Sequence, residues 1–312
     1  MIRGTWPSGK GVRVAVTSVV VGVDGSSESE DALDWALNEG RLRNLPVRAV
    51  NVWQPSGTAR EVERISALDS VAELRGGLLE EVTSSVRAVV ERTGATDVAV
   101  TSEVVYGHPV RELIREAGTD SLLVVGSRGR GSIAGSMLGS VSQSCVQYAD
   151  GTVVVVRGRR PEQAAGRVVA GVDASDRSVH GLRFADQAAG LRGATLQVVH
   201  AWTLPYMGFA GRSGALSDEA VDEVAAQASE TLRDGMRRGA VDATRPDVEM
   251  WLVEGLPAPS LLQAAQNADL LVVGSRGHGG WKGLLLGSVS LQCVTQSPCP
   301  VAVIRDRDAD QD

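Results

Sequence analysis

The chain has 312 residues, 43% of them hydrophobic but only 4% aromatic, and a formal net charge of −7. The acidic balance argues against a general nucleic-acid binder, because neutralising phosphates takes basic surface, and no apolar run reaches the length needed to span a bilayer. Three cysteines, Cys145, Cys293 and Cys299, form no framework spacing and point to a reducing, cytoplasmic compartment. Residues 1–17 carry Arg3, Lys10 and Arg13 without an apolar stretch before Val19, and read as a disordered extension rather than a signal peptide.

Val19 to Val23 is a short apolar run ending in Gly, Asp and Ser, which reads as a buried strand meeting a turn. Ser27 to Arg43 has apolar residues at helical spacing, acidic residues early and arginines late, an order that complements a helix dipole. Val47 to Val52 follows as a strand. Glu61 to Arg92 is a long helical stretch with a break or kink expected at Gly76-Gly77. A strand is expected over Val98 to Val105. Pro109 then opens a helix to Ala117, proline suiting a first turn. Ser121 to Val125 reads as a strand, Ser140 to Tyr148 as a helix, and Thr152 to Arg157 as a strand. The remainder repeats the order: Arg167 to Val172, Ser178 to Arg192, Thr195 to Ala201, Ser217 to Gly239, Asp247 to Val253, Pro257 to Asn267, Leu270 to Val273, Ser288 to Gln296 and Pro300 to Ile304. Strands alternating with helices argue for doubly wound parallel α/β architecture.

The order repeats because the sequence does. Gly126-Ser127-Arg128-Gly129 and Gly139-Ser140 recur as Gly274-Ser275-Arg276-Gly277 and Gly287-Ser288, at an offset of 148 residues. Each block follows Leu-Leu-Val-Val. Val19 to Ser26 matches Val168 to Ser175, and Trp53 matches Trp202, both at an offset of 149. Cys145 matches Cys293, and both read as small buried residues. A period near 150 residues is the size of a domain. The expected division is residues 18–158, a polar linker over 159–166, residues 167–306 and a tail over 307–312.

In open parallel sheets, ligands bind beyond the carboxyl ends of strands where strand order reverses. Asp24 and Asp173 end the first strand of each half, and Gly126 and Gly274 end the fourth. Glycines let backbone approach a ligand or take a positive φ. Ser140 and Ser288 start the last helix, where free N–H groups and the helix dipole favour phosphate; alternatively they are helix N-caps. The aspartates suit ribose hydroxyls or a metal on the phosphates. Arg130 and His278 fill one loop position and put a basic group nearby. Trp53 and Trp202 read as core or cleft-wall residues.

Sharper motifs fail. G-x-x-x-x-G-K-[ST] is absent. Gly129 to Ala134 fits G-x-G-x-x-A, but the second copy has Lys282 where Gly or Ala is required, and the segment follows a fourth strand. No His or Cys cluster suggests zinc. His108, His180, His200 and His278 do not recur between halves, which excludes a catalytic histidine common to both.

The pattern of Val-Gly-Val-Asp-Gly-Ser at residues 21–26, the two G-x2-G-x9-G-[ST] loops and the closing strands Val153 to Val156 and Val301 to Ile304 resembles the universal stress protein family, as a tandem pair. The resemblance implies two five-stranded parallel sheets of Rossmann-like order 3-2-1-4-5, with ATP, alone or with Mg²⁺, bound in both halves. Carried over by position, it implies Gly22, Val23, Asp24, Val52, Val125, Gly126, Gly129, Gly139, Ser140, Val141 and Ser142 as nucleotide contacts. In the other half it implies Gly171, Val172, Asp173, Ala201, Val273, Gly274, Gly277, Gly287, Ser288, Val289 and Ser290. Val52 and Ala201 would line adenine, more loosely at Ala201. Ala149-Asp150-Gly151 departs from Ser297-Pro298-Cys299-Pro300 at the final turn.

Three functions compete at this point: an ATP-binding regulator of stress response or growth, acting through an unidentified partner; a slow ATPase or nucleotidyl- or phosphotransferase; and an inert pseudo-dimer scaffold that acts through its surface. The closing strands, apolar and at a sheet edge, are expected to pair antiparallel and join the halves as a pseudo-dimer. A homodimer of chains is a further expectation.

Overall fold

The computed structural model describes residues 16–54, 71–129, 138–157, 166–204, 217–277 and 285–305. Residues 1–15 of the extension, 159–165 of the linker, the tail, Arg130, His278, Lys282 and the start of the long helix, Glu61 to Ser70, lie outside the described residues; Thr17, at the end of the extension, donates its amide to the Asp120 carbonyl at 2.7 Å.

The first half runs β1 (Ser18–Gly22), α1 (Ser27–Arg43), β2 (Val47–Trp53), α2 (Val71–Thr93), β3 (Val100–Tyr106), α3 (Pro109–Ala117), β4 (Ser121–Gly126), α4 (Ser140–Tyr148) and β5 (Val153–Val156). The second runs β6 (Arg167–Gly171), α5 (Asp176–Arg192), β7 (Thr195–Trp202), α6 (Asp218–Gly239), β8 (Val248–Glu254), α7 (Pro257–Ala264), β9 (Leu270–Gly274), α8 (Ser288–Gln296) and β10 (Val301–Ile304). Local chemistry sets these ends. Ser26, Ser175 and Ser217 cap α1, α5 and α6 through their hydroxyls, and Pro stands in the first turn of α3 and α7.

Two expectations fail in detail. Gly76-Gly77 does not break α2, which is continuous across them. A Cβ added at either would meet nothing within 4 Å, so both face open space. Leu74, Val82, Val86 and Val89 on the other side bury the helix and hold it together. The helix expected to reach Asn267 ends at Ala264, and Asn267 turns the chain with φ 59°.

The strands form one sheet in the order β3-β2-β1-β4-β5-β10-β9-β6-β7-β8. Each half is parallel, with its own strands ordered 3-2-1-4-5. The seam is antiparallel, Val301 opposite Val155 and Val303 opposite Val153. One core layer lies on each face of the sheet, and each draws residues from both halves. Strands buried on both faces explain the runs of Val, Leu and Ala and the scarcity of aromatics.

Side chains cross the seam in pairs. Arg157, just past β5, donates to the carbonyl of Thr295 near the end of α8. Arg305, just past β10, donates to the carbonyl of Gln147 near the end of α4, at 2.8 Å. Each guanidinium meets the negative end of the other half's last helix. A second contact is not symmetric. Glu39 is fully buried between Arg43 (2.5 Å) and Arg192, while Ala188 stands at the equivalent place in α5. Arg43 also lies 4.8 Å over the Phe184 ring.

Candidate functional site

β1 and β4 are neighbours in register, Val21 beside Val124, so the loops that leave them open onto one cleft. Its volume is about 210 Å³. All eleven first-half residues singled out in the sequence line it: Gly22, Val23, Asp24, Val52, Val125, Gly126, Gly129, Gly139, Ser140, Val141 and Ser142. Strand order places this cleft at the reversal point, where β1 is followed on one side by β2 and on the other by β4.

Asp24 is held in a turn. Its Oδ1 accepts from the Ser26 amide at 3.0 Å and the Ser26 hydroxyl at 2.5 Å. Asp173 repeats this with Ser175, at 3.0 and 2.6 Å. The residue after each aspartate has positive φ: 76° at Gly25 and 60° at Ala174. Glycine takes that conformation without strain, whereas alanine does not.

The loop glycines work by space. None of Gly126, Gly129, Gly139, Gly274, Gly277 or Gly287 has a positive φ. Gly139 and Gly287 sit at φ −75° and −74°, open to any residue. A Cβ on Gly126 would lie 2.6 Å from the Glu28 carbonyl oxygen. One on Gly129 or Gly277 would strike Oδ2 of Asp24 or Asp173. At Gly139 the nearest atom would be Arg128 Cα at 3.3 Å, and at Gly287 Arg276 Cα at 3.4 Å. The loops thus fold flat against the aspartate turns.

The serines divide their roles. The N-caps of α4 and α8 are Gly139 and Gly287, with no side-chain cap, so Ser140 and Ser288 are first-turn residues and not caps. The first i−4 bond of α4 is from the Gln143 amide to the Gly139 carbonyl at 2.9 Å, and that of α8 from Leu291 to Gly287 at 3.0 Å. The amides of Ser140, Val141 and Ser142 precede that bond, as do those of Ser288, Val289 and Ser290, an arrangement that suits an anion. Ser142 and Ser290 spend their hydroxyls on the loop, donating to the Gly126 and Gly274 carbonyls at 2.5 and 2.6 Å.

Sequence reasoning missed five lining residues: Ser29, Val50, Pro109, Leu113 and Arg128. Each has an identical twin in the other half, namely Ser178, Val199, Pro257, Leu261 and Arg276. The repeat therefore carried the signal. Leu113 and Leu261 pack against Gly22 and Gly171, where an added Cβ would lie 3.1 and 2.9 Å from their methyls. Beneath the cleft floor, Asn51 Nδ2 donates to the Val23 carbonyl and His200 Nδ1 to the Val172 carbonyl, both at 2.7 Å. Two different residues do one job there. The bond fixes the His200 proton on Nδ1, since a carbonyl only accepts.

Arg128 pairs with Glu28 at 3.0 Å. The Ser27 hydroxyl, and after it Arg128, hold the Glu28 carboxyl below its ordinary range. Burial, with Arg128 nearby, pushes Arg157 below the usual guanidinium value. Cys145 and Cys293 lie on the buried faces of α4 and α8, fully buried, and burial pushes both thiols up to about 12. Trp53 meets Tyr106 with ring centroids 5.4 Å apart.

Taken together, these features define a tandem α/β protein with a glycine-walled cleft at the switch point of the first half and the same aspartate turn, glycine loop and uncapped helix start in the second. The model of the universal stress protein family matches residues 16–157 and again 165–305. The chain is 33% identical over 310 residues to universal stress protein Rv1996 of Mycobacterium tuberculosis, covering 92% of this chain and 94% of that one. It is 32% identical over 306 residues to a universal stress protein of Mycolicibacterium smegmatis, covering 93% and 97%. A crystal structure of a universal stress protein from Archaeoglobus fulgidus superposes with a TM-score of 0.63 at 20% identity, covering 93% of this chain and 98% of that one. The chain belongs to the universal stress protein family.

Proposed function

We propose that each half binds one molecule of ATP, with or without Mg²⁺, and that occupancy governs a regulatory role in stress response or growth. The observation that carries this reading is the meeting of the loop glycines, the aspartate turn and an uncapped helix start in one cleft. Val52 and Ala201 line adenine at the ends of β2 and β7. Asp24 and Asp173 accept from ribose hydroxyls. The amides of Ser140 to Ser142 and Ser288 to Ser290 hold phosphate oxygens. Gly139 and Gly287 keep the approach clear.

The role is binding rather than turnover. Asp24 and Asp173 are the carboxylates common to both clefts, and each already accepts two bonds within its own turn. Activating water takes a positioned base within reach of the attacking group, and neither aspartate is set up as one. The output passes through an unidentified protein partner or a second copy of the chain. No helix among the described residues is long and apolar enough to cross a membrane, and the three unbridged, buried cysteines support a cytoplasmic location.

Thermal unfolding with ATP tests the reading. Ligand at 100 times its Kd stabilises a folded protein by about 2.7 kcal/mol per site, so a clear rise in Tm is expected. No rise at millimolar ATP would sink it. Steady-state phosphate release with Mg²⁺ should fall orders of magnitude below the roughly 10 per second of a typical enzyme. Release near that rate would favour the ATPase alternative.

A further inference from the structure

The two seam arginines tie each glycine loop to the last helix of the other half. In the first half the Val156 carbonyl, at the end of β5, accepts from the Ser127 amide at 2.8 Å, and the Ser127 carbonyl accepts from the Gly139 amide at 2.7 Å. The last strand thus holds the loop, and the loop holds the N-cap of α4. The next residue along the strand is Arg157, whose guanidinium donates across the seam to the carbonyl of Thr295 near the end of α8. The second half repeats the series. Ser275 donates to Ile304 at 2.8 Å and Gly287 to Ser275 at 2.8 Å. Arg305 then reaches across to the carbonyl of Gln147 near the end of α4, at 2.8 Å. Arg305 also donates to the Leu285 carbonyl at 2.6 Å, two residues before the N-cap of α8. Each of these helices has nine residues and so is about 14 Å long. One short rigid element therefore separates the uncapped start of α4 from Arg305, and another separates the start of α8 from Arg157.

We infer that Arg157 and Arg305 are positioning residues that couple the two nucleotide sites, so that nucleotide in one half raises the affinity of the other. This inference rests on the nucleotide reading above. Phosphate at the start of α4 and a guanidinium at its end complement opposite ends of one dipole. Phosphate held by the amides of Ser140 to Ser142 fixes α4 from its start. That fixes the Gln147 carbonyl as the acceptor for Arg305, and Arg305 in turn fastens the end of β10 and the loop before Gly287. Hydrogen-bonded chains and rigid elements of this kind carry coupling between sites. The second site is then ordered before its own nucleotide arrives, and part of its ordering cost has been met. The return path runs from the start of α8 through Thr295 and Arg157 to Ser127 and Gly139. Linkage makes the effect equal in both directions. Glu39, Arg43 and Arg192 also join the halves, but near the C-terminal ends of α1 and α5, and they form no part of either path.

The experiment is calorimetric titration of the full chain with ATP at moderate salt, where repulsion between the bound polyphosphates is screened. Gly287→Leu gives the intrinsic affinity of the first site and Gly139→Leu that of the second. The parent's overall association constant for two ATP, divided by the product of those two, is the coupling factor. It should be about fivefold, and should fall to one in a protein carrying both Arg157→Gln and Arg305→Gln. Arg192→Gln weakens the seam elsewhere and should lower Tm without moving the factor. Hydrogen exchange tests the same link with the seam left intact: in Gly287→Leu, ATP in the first site should slow exchange over residues 285–296 by about the same factor. A factor of one in the parent, an unchanged factor with both arginines replaced, an equal loss in Arg192→Gln, or exchange unmoved by ATP would overturn the coupling while leaving nucleotide binding intact. Folded single-site proteins that bind no ATP would overturn the nucleotide reading itself, and the coupling with it.

Discussion

At the first cleft a glutamate restrains the loop arginine, the residue after Asp24 is glycine, and valine lines the end of β2. At the second, an arginine replaces the glutamate, alanine replaces that glycine, and alanine lines the end of β7. Yet the hydrogen bonds that shape the two clefts agree in partner and, within 0.1 Å, in length, from the aspartate turn to the serine that ties the loop to its helix. The comparison separates two layers. Backbone cradle and glycines have been kept twice, while several of the side chains around them have diverged. The seam shows the same split: twin arginines cross it symmetrically, but both Arg43 and Arg192 converge on Glu39, which exists in one half only.

The largest effect is expected at that seam. Replacing Glu39 with Ala leaves two mostly buried guanidiniums facing each other, and breaking a buried pair from one side costs about 3–5 kcal/mol. Urea unfolding of Glu39→Ala should show a loss of that order. A loss under about 1 kcal/mol would mean that the triad behaves as a surface pair. Next comes Gly139→Leu or Gly287→Leu, each expected to abolish ATP binding in its own half and leave the other unchanged. Their φ values suit leucine, but an added Cβ would lie 3.3 or 3.4 Å from the backbone of Arg128 or Arg276, so circular dichroism should stay near the parent's with a modest fall in Tm without ligand. Full binding stoichiometry in either variant would remove the glycine loop from the phosphate site.

Smaller changes sharpen the comparison. Ala201→Val restores the first half's residue and adds two methyl groups of apolar contact. At about 0.8 kcal/mol per fully buried carbon and partial burial here, AMP should bind the second cleft roughly fivefold tighter. No gain would place the adenine elsewhere. Ala174→Gly relieves a positive φ of 60°. It should stabilise the protein by about 1 kcal/mol, the cost of that conformation for alanine, whereas Gly25→Ala should cost a similar amount. If both changes were neutral, the turn would tolerate a Cβ equally in either half.

Much of this was legible in the sequence, for identifiable reasons. The strands are short runs of Val, Leu and Ala because both faces of the sheet are covered, and such runs are hard to mistake. The repeat placed the cleft by giving every lining position twice, including the five that reasoning from single motifs passed over. Gly76-Gly77 misled because glycine is read as a breaker, while burial of Leu74, Val82, Val86 and Val89 overrides its cost. The glycine loops misled in a different way. Their spacing identified them, but conformational freedom was only one candidate reason, and the distances to Glu28 and Asp24 assign close packing instead. Glu39 was invisible, because a lone glutamate on a helix gives no sign that two arginines 153 and 4 residues away will enclose it.

The central claim is that two clefts with one backbone both bind nucleotide. Calorimetric titration of the full chain with ATP tests it most directly. Two molecules of ATP per chain are expected, falling to one in Gly139→Leu and one in Gly287→Leu. A stoichiometry of one in the parent protein would contradict the equivalence of the halves, and no binding would contradict the account as a whole.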